Sequence, residues 1–76
     1  MYAELVEHIV TSLVDNPDDV SVTQVSGPPS VTLELTVHES DMGRVIGKGG
    51  RVVNAIRTVI KVLAAKQGDE VKLEIV

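Results

Sequence analysis

Apolar residues recur at helical spacing near the N-terminus, with Tyr2, Leu5, Val6, Ile9, Val10 and Leu13 on one side of a helix over residues 2–14. Pro17 biases Asn16 away from helical angles, so this helix should stop near Asp15. A strand is expected from about Val20 to Val25, and Ser26-Gly27-Pro28-Pro29-Ser30 then reads as a turn. Beyond it the pattern changes period. Val31, Leu33, Leu35 and Val37 alternate with Thr32, Glu34, Thr36 and His38, as in a strand buried on one face. Glu39-Ser40-Asp41 has helix-starting chemistry, with Ser40 or Asp41 as N-cap, and predicts a short helix to Ile46. A glycine turn occupies 47–50, and a long helix runs from Arg51 to about Lys66, with Gly68 placed to cap its end. Val71, Leu73 and Ile75, alternating with Lys72 and Glu74, form a last strand.

The order α-β-β-α-α-β predicts one α+β domain over residues 1–76. Two helices between the second and third strands suit a parallel pair, while the short link between the first two suits an antiparallel one. The expected architecture is a three-stranded mixed sheet with three helices packed on one face and water on the other.

Composition narrows the chemistry. Tyr2 is the only aromatic residue among 76, so a platform that grips bases by stacking is excluded. The absence of cysteine removes disulfides, thiolate metal sites and a cysteine nucleophile. His8 and His38 lack partner ligands at useful spacing, so no metal is expected. No nucleophile or oxyanion constellation can be assembled from the remaining residues; the chain does not read as an enzyme and implies no cofactor. No apolar run approaches the ~18 residues of a membrane span. Glu4 and Glu7 stand where a secretory signal would carry Lys or Arg, and a cytoplasmic location is expected.

Charge changes the picture more. The chain is acidic, at net −4, but its charges are segregated. Met1 to Met42 holds eight carboxylates and no Lys or Arg, whereas Gly43 to Lys66 holds six Lys or Arg and no carboxylate. Inside that basic block lies Val45-Ile46-Gly47-Lys48-Gly49-Gly50-Arg51. A glycine turn among cations, opening onto a helix N-terminus, is suited to an anionic chain. It is not a Walker loop, because Lys48 occupies the second glycine's place and Gly49 follows it. Nor is it a dinucleotide fingerprint, which would need glycine where Val52 stands. Nucleic acid is the leading ligand.

The run from Val45 through Gly47-Lys48-Gly49-Gly50 to Val53 and Ile56 resembles the KH motif, Ile/Val-Ile-Gly-x-x-Gly-x-x-Ile/Val-x-x-Ile. The element order is similar to that of the type II KH fold. The longer run Asp41 to Lys48, with Ala55-Ile56-Arg57-Thr58-Val59-Ile60, resembles the small single-domain bacterial members of that family. Gly49 departs from the pattern, since related proteins often carry a larger polar residue there. The resemblance implies a clamp on about four nucleotides of single-stranded RNA, or of single-stranded DNA. Arg44, Val45, Ile46, Gly47, Lys48, Gly49, Gly50, Arg51 and Val53 would form the RNA-binding site, with weak sequence preference because its floor is aliphatic. It further implies RNA chaperoning, a larger KH-containing partner, KhpB (Jag or EloR), and roles in cell elongation and wall synthesis.

The long helix carries a second message. Its apolar residues, from Val52 to Ala64, cover an arc of about 200°, roughly twice what a one-sided helix needs. Val53, Ile56 and Ile60 should face the sheet. Ala55, Val59 and Val62 lie toward the other edge, where either a second copy of the chain or the N-terminal helix would cover them. The competing function is therefore a protein-pairing module with weak nucleic-acid binding. Arg57 and Lys61 read as solvated, with an auxiliary phosphate contact as the alternative.

Overall fold

The computed structural model describes residues 1–76. Helix α1 (Tyr2–Thr11) buries Tyr2, Val6 and Val10 along one stripe. It ends at Thr11 instead of near Asp15. The Thr11 and Ser12 hydroxyls donate to the carbonyls of Glu7 and His8, each at 2.8 Å, and compete with the backbone ladder at that end. Leu13, which the periodicity assigns to the apolar face, is left 36% exposed. A 3-10 turn over Pro17–Asp19 leads into strand β1 (Ser21–Ser26).

Strand β2 (Ser30–Thr36) is the centre of the sheet, with β1 antiparallel on one side and β3 (Glu70–Ile75) parallel on the other. Both orientations agree with the expectation from connection length. Val31, Leu33, Leu35 and, just past the strand, Val37 are all buried, as their alternation requires. On β1 the register shifts between Gln24 and Ser26, which leaves Val25 outside the alternation and 52% exposed.

Between β2 and β3 lie helix α2 (Met42–Ile46) and helix α3 (Arg51–Gln67). Val53, Ile56, Ile60 and Ala64 form the buried stripe of α3, packed in one cluster with Val45, the α1 residues and the sheet. Tyr2 ties α1 to the far end of α3, its hydroxyl donating to Asp69 Oδ2 at 2.8 Å. Burial and that carboxylate push the phenol pKa up.

Helix α2 starts differently from the expectation. A 3-10 turn over Glu39–Asp41 precedes it, and the His38 ring caps that turn by accepting the Ser40 N–H. Asp41 occupies the N-cap position of α2 but caps nothing there. Its carboxylate, 1% exposed, turns to the loop after α1 and accepts the Asp15 N–H at 3.2 Å, the Asn16 N–H at 3.0 Å and Asn16 Nδ2 at 3.0 Å. Burial opposes ionisation, but the Asn16 side chain, the Asp15 and Asn16 amides and the nearby Arg44 charge prevail, and the carboxyl pKa lies below its ordinary value.

A depressed folded-state pKa gives stability that is complete above the unfolded value and fades as pH falls through the folded one. The urea midpoint of the parent should therefore drop below roughly pH 4. Asp41→Asn should be less stable near neutrality and show a flatter acid limb. Equal pH profiles for the two chains in urea titrations would refute this role for Asp41.

Candidate nucleic-acid interface

The glycine turn joins α2 to α3 as a reversal followed by a 3-10 turn over Lys48–Gly50. Gly47 has φ 76° and ψ 170°, a backbone region essentially closed to side-chain-bearing residues. A Cβ there would lie 2.6 Å from Val52 Cγ2 and 2.8 Å from the Val52 nitrogen. Glycine at 47 thus serves both backbone geometry and close packing. Gly50 is left-handed at φ 81°, but a Cβ on it would meet only the Asn54 side-chain amide, at 3.3 Å. Around Gly49, also left-handed, nothing lies within 4 Å.

The turn is partly self-bonded. The Gly47 N–H donates to the Gly43 carbonyl at 2.9 Å, closing α2, and the Gly50 N–H donates to the Gly47 carbonyl at 3.1 Å. The main-chain donors left as candidates for a ligand narrow from four amides to those of Lys48 and Gly49, both on exposed residues. Lys48 and Arg51 are exposed, and neither makes a side-chain hydrogen bond or ion pair within the chain. Arg44, also exposed, pairs with Asp15 Oδ1 at 3.1 Å.

The aliphatic floor expected beside the turn needs correction. Val45 is fully buried and Val53 is 5% exposed, so both belong to the core and hold the turn from beneath. Ile46, half-buried, keeps an accessible surface, and half-buried Val52 joins it.

Arg57 is not a freely solvated cation. Its Nε and Nη2 both donate to the Leu73 carbonyl, at 3.2 and 2.9 Å, and its Nη1 donates to Asn54 Oδ1 at 3.2 Å. The amides of Glu70 and Val76 point toward β2, so the odd-numbered Leu73 presents its carbonyl on the free edge of β3. Arg57 covers that edge. Gly50, Asn54, Arg57 and Leu73 form a continuous line from the glycine turn to the sheet. A groove of about 380 Å³ lies there between α3 and β3, lined by Arg57, Lys61, Val71, Lys72, Leu73 and Glu74. The larger hollow, about 610 Å³, shares Lys61, Val71 and Lys72 but extends away from the turn to Ser30 and Asp69.

A family model described as "KhpA/KhpB, KH domain" matches residues 3–75. The chain belongs to this KH-domain family. It is 55% identical over 73 residues to the RNA-binding protein KhpA of Clostridium perfringens, covering 96% of this chain and 97% of that protein. Identity to KhpA of Clostridium acetobutylicum is 53%, with the same coverage. To KhpA of Borreliella burgdorferi it is 49%, over 95% of this chain and 88% of the relative. Among solved structures, Aquifex aeolicus Era bound to GDP·AlF4− superposes with a TM-score of 0.69 at 23% identity. Era in complex with MgGDPNP and a stretch of 16S ribosomal RNA superposes at 0.67, also at 23% identity. The chain spans 29% and 28% of those Era chains, and 97% of itself is covered in each. At that identity the likeness shows the KH fold alone.

Gly47→Ala should destabilise the domain by about 3 kcal/mol or more, combining a forbidden backbone angle with a clash. Gly49→Ala, in open space, should cost about 1 kcal/mol. Urea denaturation of the two variants checks the order, and equal losses would mean that Val52 does not press on the turn.

Proposed function

We propose that this chain binds single-stranded RNA, with the Gly47–Gly50 turn laid against the sugar-phosphate backbone. The observation that carries the reading is the turn itself: a glycine reversal with exposed Lys48 and Arg51, inside a stretch of 27 residues, Met42 to Gly68, without a carboxylate. The relatives' name as RNA-binding proteins supports RNA as the ligand. In this reading Lys48 and Gly49 offer amides to phosphate, Lys48, Arg51 and Arg44 supply charge, and Ile46 with Val52 contacts the bases. Val45, Val53, Gly47 and Gly50 shape the turn. Aliphatic contacts discriminate poorly between bases, so sequence preference is weak. The family resemblance supports RNA chaperoning as the cellular use.

Few phosphates are engaged, so affinity should be modest and salt-sensitive. With Lys48 and Arg51 as the cations free of an ion pair, log K should fall against log salt with a slope of about −1.4. The variant carrying Lys48→Asp and Gly49→Asp places two anions on the turn and should lose binding to a short labelled RNA in fluorescence polarisation. Undiminished binding by that variant would remove the reading. Equal binding of a DNA oligonucleotide would broaden the ligand to single strands in general.

A second surface supports pairing. Val59 is 49% exposed and Val62 57%, with Ala55 exposed beside them, so α1 does not cover this edge of α3. We infer that it packs against another KH domain: a second copy, or the larger KH protein KhpB (Jag or EloR), through which the roles in cell elongation and wall synthesis would run. Val59→Lys should shift the chain from dimer to monomer in sedimentation at high concentration. A parent that stays monomeric there would rule out the homodimer.

A further inference from the structure

The acidic N-terminal part of the chain meets its basic block through one side-chain ion pair, Asp15 Oδ1 with Arg44 Nη1 at 3.1 Å. We propose that Asp15 masks Arg44, occupying the guanidinium that a phosphate would otherwise take, and so lowers the affinity of the nucleic-acid site. This rests on the reading of the glycine turn as an RNA site.

The pair is not needed to hold the fold together. Asp15 and Arg44 side chains are 72% and 54% exposed, and an exposed pair of this kind contributes little to stability. Yet the loop that carries Asp15 is not free to move away. The Asp15 amide donates to buried Asp41, and its neighbour Asn16 donates to the same carboxylate twice. Asp41 stands just under one helical turn before Arg44. One buried side chain therefore positions both members of the exposed pair. Lys48 and Arg51 have no such partner, so Arg44 alone among the three flanking cations is neutralised in the free protein. A carboxylate and a phosphate compete for the same donor fork, because both accept paired N–H groups from a guanidinium.

Asp15→Asn removes the competing charge and leaves the Asp15 amide, and thus the bond to Asp41, in place. It should bind a short single-stranded RNA about two- to fivefold more tightly than the parent, the range an exposed ion pair allows. Its salt dependence should steepen by up to about 0.7 in slope, one extra phosphate contact. The decisive control is Arg44→Gln. In that background Asp15→Asn should change affinity no further. Equal affinities for parent and Asp15→Asn overturn the masking. So does a gain of the same size with and without Arg44, since Asp15 would then act through the general field. A parent that binds no RNA under any salt condition removes the site reading, and this inference with it.

Discussion

Asp41 is the only charged side chain in the interior, and its carboxylate accepts hydrogen bonds from across the fold instead of from its own helix. Helix α2, at five residues, is too short to hold itself in place by its own ladder. It is fixed by Val45, with Met42 and Ile46 beside it, packed against the core, and by Asp41 tied to the loop after α1 from its start. The glycine turn leaves directly from the end of α2, so its position is set by a carboxylate six residues earlier in the chain. A buried carboxylate is tolerated only when its lone pairs are met, and here three N–H groups meet them. The two residues that provide those donors, Asp15 and Asn16, come from the other side of the molecule's first strand pair. Position of the site and closure of the fold are the same set of bonds.

Charge segregation then sets the electrostatics around that turn. The net charge is −4, which would repel a polyanion if it acted as a whole. It does not. The molecule extends 35 × 23 × 18 Å, while screening at physiological salt acts over about 8 Å. Glu34 and Glu74 stand in register on neighbouring strands, on the sheet face turned from the helices. Like charges side by side are mildly unfavourable, and are tolerated because that face is solvated. Screening weakens their field with distance, while Lys48 and Arg51 carry no ion pair to weaken theirs. Asp15 is the exception, being the one side-chain carboxylate in an ion pair with a cation of the basic block.

The fold was largely legible because its core elements obey single periodicities. The alternation through Val31, Leu33, Leu35 and Val37 and the stripe through Val53, Ile56 and Ile60 both appear in the structure as written in the residues. The end of α1 was not legible in the same way. Leu13 and Val14 continue the apolar pattern, but hydroxyls at Thr11 and Ser12 offer the carbonyls a local alternative, which hydrophobic spacing does not register. Val45 and Ile46 show a related limit. A helix of five residues has too little length for a period, so nothing local says which of two adjacent aliphatic residues turns inward. Asp41 next to Ser40 carries every local mark of an N-cap, and its true partners are 25 and 26 residues away in sequence. Arg57 likewise looks solvated until the parallel pairing of β3 leaves the Leu73 carbonyl open beside it.

Helix α3 is where the separate demands meet, and its three faces keep them apart. One face, through Val53, Ile56, Ile60 and Ala64, is consumed by the core. A second, through Asn54, Arg57 and Lys61, borders the groove along β3. The third, through Ala55, Val59 and Val62, is bare. The turn sits at the helix N-terminus and the bare face runs along its length, so pairing would not bury the turn. Val59 lies at the middle of the 17-residue helix, so a two-fold axis passing there perpendicular to the helix would set the two helices antiparallel and the two turns at opposite ends, about 25 Å apart. Each turn would then hold its own short stretch of strand. Gain from pairing would come from linking two weak contacts on one flexible RNA, with no new contact needed at either site.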